Sequence, residues 1–313
     1  MLRIIVRRLL LSIPLLIVVS GITFILESFV PGDPARSLLG VNATPEQYDA
    51  LRQSLHLDEP LVQQYWLYLQ GLFHGDLGRS IFTNEEVVTT VAGRLPVTLS
   101  LVVGATLVAT VVGVLFGVYS ATRGRISRRI IDVVSLFGSA LPNFWVALAL
   151  IAIFAVALPL LPATGYVPFE DSPQLWLSSL VLPVVALAIG GVALIAKVTR
   201  DSMLSTLGLD YIRTLRASGV SRRSIIWRHA LRNSGLAVST TIGLTLINFV
   251  PGTIFAETIF VLPGLGSAVV TATNLHDIPV VQGIGLTFTL IVIIVNLLVD
   301  VAYGLLNPKV RSS

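Results

Sequence analysis

Apolar residues in this chain run in long blocks, and the polar residues gather between them. Six blocks stand out: Leu9 to Phe29, Val97 to Ser120, Ile130 to Leu158, Leu175 to Ala196, Ser234 to Ala256, and a last one that starts at Asp277-Ile278-Pro279 and ends near Asp300. Each is near or above the roughly 20 residues that a helix needs to cross a bilayer. The pattern predicts an all-α, polytopic membrane protein with six transmembrane helices. Prolines fall inside several blocks. Pro14 can kink the first. Leu141-Pro142-Asn143-Phe144-Trp145 is expected to interrupt the third, and Pro251-Gly252 to break the fifth. Gly190-Gly191 in the fourth allows close helix approach.

The first block competes with a signal peptide. It is long for one, and Val30-Pro31-Gly32-Asp33-Pro34 follows it instead of a small-x-small cleavage site, so it reads as a retained span. Between the first two spans lies a polar region with helical starts of its own. Thr44-Pro45-Glu46 supplies a cap and a first-turn proline for a helix to about Leu55. Asp58-Glu59-Pro60 opens another, with Leu61, Tyr65, Tyr68, Leu69 and Leu72 on one face. His74-Gly75-Asp76-Leu77-Gly78-Arg79-Ser80 is a glycine-rich turn. Three sections follow: residues 1–30 as N-terminus and first span, 31–95 as an extracytoplasmic helical region, and 96–313 as a five-helix core.

Charge fixes the expected orientation. Arg3, Arg7 and Arg8 precede the first span, and Arg123, Arg125, Arg128 and Arg129 crowd one short loop. Lys197 and Arg200 end the fourth span, and Lys309 and Arg311 follow the sixth. Lys and Arg in short loops mark the cytoplasmic side, which places both termini there. From Asp33 to Arg94, eight acids oppose four arginines, so this region is placed outside. The absence of Cys among 313 residues excludes disulfides and thiolate metal sites. Basic residues that sit mostly in short loops between spans make nucleic-acid binding a poor reading.

The loop 197–235 is the most informative polar segment. It carries eight basic residues against Asp201 and Asp210. Asp210 can cap a first short helix. Gly219 can end it in the left-handed conformation. Ser221 can cap a second, whose apolar side is Ile225, Ile226, Ala230 and Leu231. The layout is a helical elbow between spans.

Here the sequence resembles a family. Arg213-Thr214-Leu215, three residues, Gly219, then His229-Ala230-Leu231-Arg232-Asn233 is similar to the coupling loop of ABC importer permeases. It departs from the common Glu-Ala-Ala and Ile-x-Leu-Pro wording in the manner of the dipeptide/oligopeptide/nickel subfamily, B-type subunit. The Pro-Gly-Asp-Pro entry, Gly75-Asp76-Leu77-Gly78, Pro142-Asn143-Phe144-Trp145, and Glu257 to Gly266 with its Pro263-Gly264-Leu265-Gly266 resemble that subfamily in the same order. In this last segment Leu262 stands where an aromatic is usual.

The resemblance implies a type I ABC importer permease of a bacterial inner membrane carrying di- or oligopeptides, with nickel, glutathione or haem as alternative cargo. It implies a homologous C-type permease, one or two ABC ATPases and an extracytoplasmic substrate-binding protein as partners. ATP and Mg would be bound by the ATPases. Asp210, Tyr211, Arg213, Thr214, Arg216, Gly219, Arg222, Arg223 and His229 would couple to the ATPase. Asp76, Glu257, Pro263, Gly264 and Gly266 would form a gate or face the binding protein, with the Glu257–Gly266 run as a re-entrant loop. For Glu257 a structural role outweighs substrate contact.

The residues themselves agree with a non-catalytic subunit. Neither lysine, Lys197 or Lys309, sits in a Gly-Lys-Ser/Thr phosphate loop. The histidines His56, His74, His229 and His276 are scattered, so no metal site is assigned. A proton-coupled carrier, the second alternative, would place ionisable residues mid-span. Glu27, Asp132, Lys197, Glu257 and Asp300 fall near span ends instead.

Overall fold

A computed structural model describes residues 2–40, 43–124, 129, 132–133, 138 and 141–306. Within them the chain is helical, without β-strands. The order is α1 (Leu2–Ser28), α2 (Pro34–Leu39), α3 (Pro45–Ser54), α4 (Leu61–Phe73), α5 (Val87–Thr122), α6 (Asn143–Ile151), α7 (Pro173–Leu207), α8 (Asp210–Ala217), α9 (Arg222–Ser224), α10 (Leu231–Phe260), α11 (Leu265–Leu275) and α12 (Ile278–Leu306). Wide π turns extend α6 over Ala152–Ala157 and join α9 to α10 over Ile225–Ala230.

Five helices among the described residues are long and apolar enough to cross a membrane: Arg8–Ser28, Val87–Thr122, Pro173–Leu207, Arg222–Phe260 and Ile278–Val301. The sixth expected span is the third in sequence. Its described part is the shorter apolar helix Asn143–Ala157, which starts behind Pro142. Most of its first half lies outside the described residues, as do Arg125, Arg128, Lys309 and Arg311.

Several helices outrun their apolar blocks. α5 begins ten residues before Val97 and passes through Pro96. α7 has Ser172 as N-cap, Pro173 in its first turn, and continues past Ala196 to Leu207. The expected break at Pro251-Gly252 is absent, and α10 runs through it to Phe260. The reason is packing. A Cβ on Gly252 would lie 2.8 Å from Leu187 of α7, so the two helices meet closely there, and this contact supports the helix through the proline.

Two compact units emerge, residues 98–262 with 294 onward, and residues 2–97 with 263–293. In the first, α7 is the most buried span and packs along α10 and α6. Small residues set the spacing. A Cβ on Gly113 would lie 2.9 Å from Ile195, one on Gly117 2.5 Å from Thr199, and one on Gly191 2.6 Å from Phe249. Apolar burial gives little drive for association inside lipid, so close backbone approach and dispersion contacts carry this packing.

In the second unit Val87, Leu265, Ala268, Ala272, Val280, Val281 and Ile284 form the core. Polar contacts cross it as well. The Tyr65 hydroxyl of α4 pairs with Ser20 Oγ at 2.8 Å and donates to the Ile17 carbonyl at 2.9 Å. Gln282 of α12 is 1% exposed. With its amide turned to satisfy both groups, it donates to Ser20 O (3.3 Å) and accepts from Phe24 N–H (2.8 Å). The expected helices between the first two spans form as read. Thr44 and Gln47 complete a reciprocal capping box at α3, and Leu69 is the buried centre of α4.

Asp33 organises α2 and α3. It caps α2 through the Ala35 and Arg36 N–H groups, accepts from the Tyr48 hydroxyl at 2.6 Å, and pairs with Arg52. Burial pushes its carboxyl up. The hydrogen bonds from Tyr48, Arg36 and Ala35 and the Arg52 charge outweigh this and hold it below its ordinary 3.8. A depressed acid contributes stability that is present above its unfolded value and lost as pH falls through the folded one.

Asp33→Asn raises deuterium uptake over residues 34–54 at pH 7, whereas the wild type reaches the same uptake only below about pH 4. Gly117→Ala overpacks the α5–α7 contact and costs about 1–3 kcal/mol. A Cβ on Gly93 meets nothing within 4 Å among the described residues, and Gly93→Ala gains about 0.5–1 kcal/mol from helix propensity. Melting points in detergent, moving in opposite directions, check the pair.

Candidate functional site

The elbow is built as a chain of helix stops and starts. α7 ends at Leu207, Gly208 closes it, and Leu209 precedes α8. Asp210 does not cap α8. It is the first helical residue, one position too late to reach the free N–H groups, and its carboxylate takes Arg213 Nη1 at 3.1 Å. That exposed pair adds little stability.

At the other end Gly219 has φ +78. Its N–H donates to Arg216 O, and the Val220 N–H donates to Leu215 O, both at 3.1 Å. These two bonds make a complete Schellman stop. Ser221 then caps the next helix by accepting from the Ser224 N–H at 3.3 Å. The second half of the elbow is not a separate short helix. Nothing stops it between Asn233 and Ser234, so it runs from Arg222 into the span as one helix ending at Phe260.

Burial divides the elbow into an anchored side and an open side. Ile212, Ile225 and Ala230 are buried. Ala230 packs with Val118, Ala121 and Met203, and Ile226 and Leu231 join this cluster from the edge. Arg222 Nη2 donates to the Thr122 carbonyl at 2.9 Å, which ties the elbow to the end of α5. Asp210, Tyr211, Arg213, Thr214, Arg216, Gly219, Arg222 and Arg223 are exposed, and His229 is half-buried. A cavity of about 460 Å³ lies under the turn, lined in part by Arg216, Arg222, Thr122 and Ile225. Nearby, Arg200 pairs with Asp132 and Asp201. The arrangement is an exposed cationic ridge on a rigidly stopped pair of helices, whose second member is the start of a membrane span.

The other sequence candidates fall on both compact units. Glu257 lies in the last turn of α10, fully buried, and accepts from Thr98 Oγ1 at 2.7 Å. The expected loop is mostly helix. Only Val261 to Gly264 is irregular, with Val261 in the left-handed region (φ 53) and Gly264 opening α11. Gly264 and Gly266 are buried, whereas Pro263 and Asp76 reach the surface. The Asp76 carboxylate accepts from the Gly78 N–H at 2.8 Å and shapes the glycine-rich turn.

The sequence reading missed the group that holds that turn. Asp277, 3% exposed, accepts from Ser80 Oγ and from the Ile81 N–H at 3.1 Å, across 197 and 196 residues. Ser80 Oγ also accepts from the Phe82 and Thr83 N–H groups. Asp277 reads in sequence as the start of the last span, and no local signal gives away so distant a partner. His276 beside it is left-handed, and its Nε2 donates to the Pro31 carbonyl at 3.0 Å. Gly32 is required there, because a Cβ would lie 2.1 Å from the His276 ring.

Membrane-length helices, two of them joined by this elbow, make a multi-pass membrane protein. The fold resembles that of the inward-facing MetNI methionine ABC transporter, with a TM-score of 0.55 and 16% identity over 70% of this chain and 97% of that one. The chain belongs to the binding-protein-dependent transport system inner membrane components, matching that family over residues 113–312 and its N-terminal counterpart over residues 1–102. It is 40% identical over 308 residues, 98% of each chain, to a peptide transport system permease protein of Brucella abortus (strain 2308). It is 39% identical over 336 residues, 99% of each, to the dipeptide transport system permease protein DppB of Escherichia coli K12. The chain is thus a membrane-embedded, non-catalytic permease subunit of an ABC importer.

Removal of the Asp277 carboxylate leaves the Ser80 hydroxyl and the Ile81 N–H without their acceptor. Asp277→Ala is expected to cost about 1–3 kcal/mol. Protease cleavage within residues 74–86 should rise, and Ser80→Ala added to it should cost much less than it does alone.

Proposed function

We propose that this permease carries di- and oligopeptides across a bacterial inner membrane, with the elbow as its contact to partner ATPases. Near-full-length identity of 39–40% to permeases named for peptides and dipeptides supports the cargo. It works with a homologous second permease, one or two ABC ATPases that bind ATP and Mg, and an extracytoplasmic binding protein. Both termini lie in the cytoplasm, and the surface of Asp76 and Pro263 faces the binding protein.

The observation that carries the mechanism is the continuity of the second elbow helix with a span. α8 is stopped by a Schellman motif, Ile212 is buried, and the next helix is continuous with a span to Phe260. A push on the exposed Arg223 is therefore passed along one helix into α10, and Arg213 and Arg216 act on it across the Gly219 stop. Movement of the ATPases on nucleotide binding tilts that span, and access alternates from one side of the membrane to the other. The buried Glu257 at the far end of α10 is held by Thr98 of α5, so this end moves with its neighbour. Glu257 serves the structure and does not touch cargo.

The test separates fold from coupling. Among the described residues nothing lies within 4 Å of a Cβ on Gly219, so a substitution there acts through its positive φ. Gly219→Val strains that position by roughly 1–2 kcal/mol. Gly219→Asn tolerates it better. In reconstituted vesicles Gly219→Val should hydrolyse ATP while losing most dipeptide uptake, and Gly219→Asn should keep both. Coupled dipeptide uptake by Gly219→Val would overturn the elbow's role, and absence of any peptide uptake by the wild type would overturn the cargo.

A further inference from the structure

The region between the first two spans reads in sequence as wholly outside the membrane, yet α4 is fastened far down α1. Its Tyr65 hydroxyl bonds Ser20 Oγ and the Ile17 carbonyl. The Tyr65 ring lies over Gly21 and Phe24, with a ring-centre distance of 5.5 Å to Phe24. The apolar stretch of α1 runs from Arg8 to Ser28. Ser20 is eight residues before its end, about 12 Å along a helix that rises about 1.5 Å per residue. A hydrocarbon core is about 30 Å thick. The contact between α1 and α4 is therefore well inside that layer.

The free side of α4 fits the same solvent. Val62, Trp66 and Phe73 stand at i, i+4 and i+11, one stripe of the helix, and are 82%, 58% and 75% exposed. Exposed Gln63 and Gln70 border the stripe on the side away from Tyr65 and Leu72. The stripe is also continuous in character with the exposed apolar face of α1, where Val18, Ile22 and Leu26 are open. The Tyr68 hydroxyl of α4 is buried and has no hydrogen-bond partner among the described residues.

We propose that α4 is a membrane-embedded helix, lying in the leaflet at the C-terminal end of α1, with Val62, Trp66 and Phe73 against lipid acyl chains. Gln63 and Gln70 turn toward the headgroups, and Trp66 is the amphipathic anchor that such a boundary favours. The region 31–95 is then partly a membrane element that widens the lipid-facing surface of the second compact unit. It is not wholly a water-borne cap. This placement is independent of cargo and of the elbow.

The natural absence of cysteine makes the test direct. Single-cysteine variants Val62→Cys, Trp66→Cys and Phe73→Cys are spin-labelled and placed in lipid nanodiscs with whatever subunits co-purify. Collision with oxygen, which concentrates in lipid, is compared with collision with a water-soluble nickel chelate. Val18→Cys on α1 is the lipid reference, and Asp49→Cys on exposed α3 the aqueous one. The expected result is oxygen-dominated relaxation at all three sites, as at Val18→Cys. Nickel-dominated relaxation, as at Asp49→Cys, would put α4 in water and overturn the proposal. Low access to both would mean that a protein partner covers the stripe, and would overturn it equally. Should Trp66→Cys fail to assemble, the Val62 and Phe73 labels decide.

Discussion

Helices that sit in lipid gain little by burying apolar side chains against one another, since the lipid is as apolar as the partner. What remains is close backbone approach and the few polar contacts that the membrane makes worthwhile. Both are visible. In one unit Gly113, Gly117, Gly191 and Gly252 let α5, α7 and α10 come within contact of each other's backbones and branched side chains. In the other, Ser20 is bound by Tyr65 from α4 and by Gln282 from α12. The rest of the architecture is consistent with that rule. Spans carry exposed apolar faces outward and spend their small or polar residues inward.

The same economy explains the elbow. A helical elbow that faces water on one side cannot rely on a deep core. It uses local chemistry for stiffness: the Gly219 stop, the Ser221 cap, and a small cluster of Ala230, Val118, Ala121 and Met203 below. The second elbow helix is also the start of a span, so it enters the membrane without a break in the helix. The buried acids Glu257 and Asp277 belong to the same logic. Each is held by a hydroxyl from a distant helix or turn, which fixes a helix end without a long loop.

Much of this was legible in the sequence. Apolar blocks of span length gave the helices and the all-α class, because a bilayer demands long uninterrupted helices. The helix starts at Thr44 and Ser221, the stop at Gly219 and the break at Pro142 were also readable, because capping and turn chemistry are local. Asp210 as a cap failed by a single position, and Pro251 as a breaker failed outright. The physical reason for the second is tertiary. Gly252 packs on Leu187, and the helix continues through a residue that would otherwise interrupt it.

The sequence by itself therefore determined the spans, the elbow and, through ordered motifs, the family. Only the tertiary structure decided which polar residues meet. Ser80 finds Asp277, Tyr65 finds Ser20, Thr98 finds Glu257, and His276 closes over Gly32. These partners are separated by tens to hundreds of residues. Helical periodicity reports which face a residue occupies and nothing about which helix that face will meet.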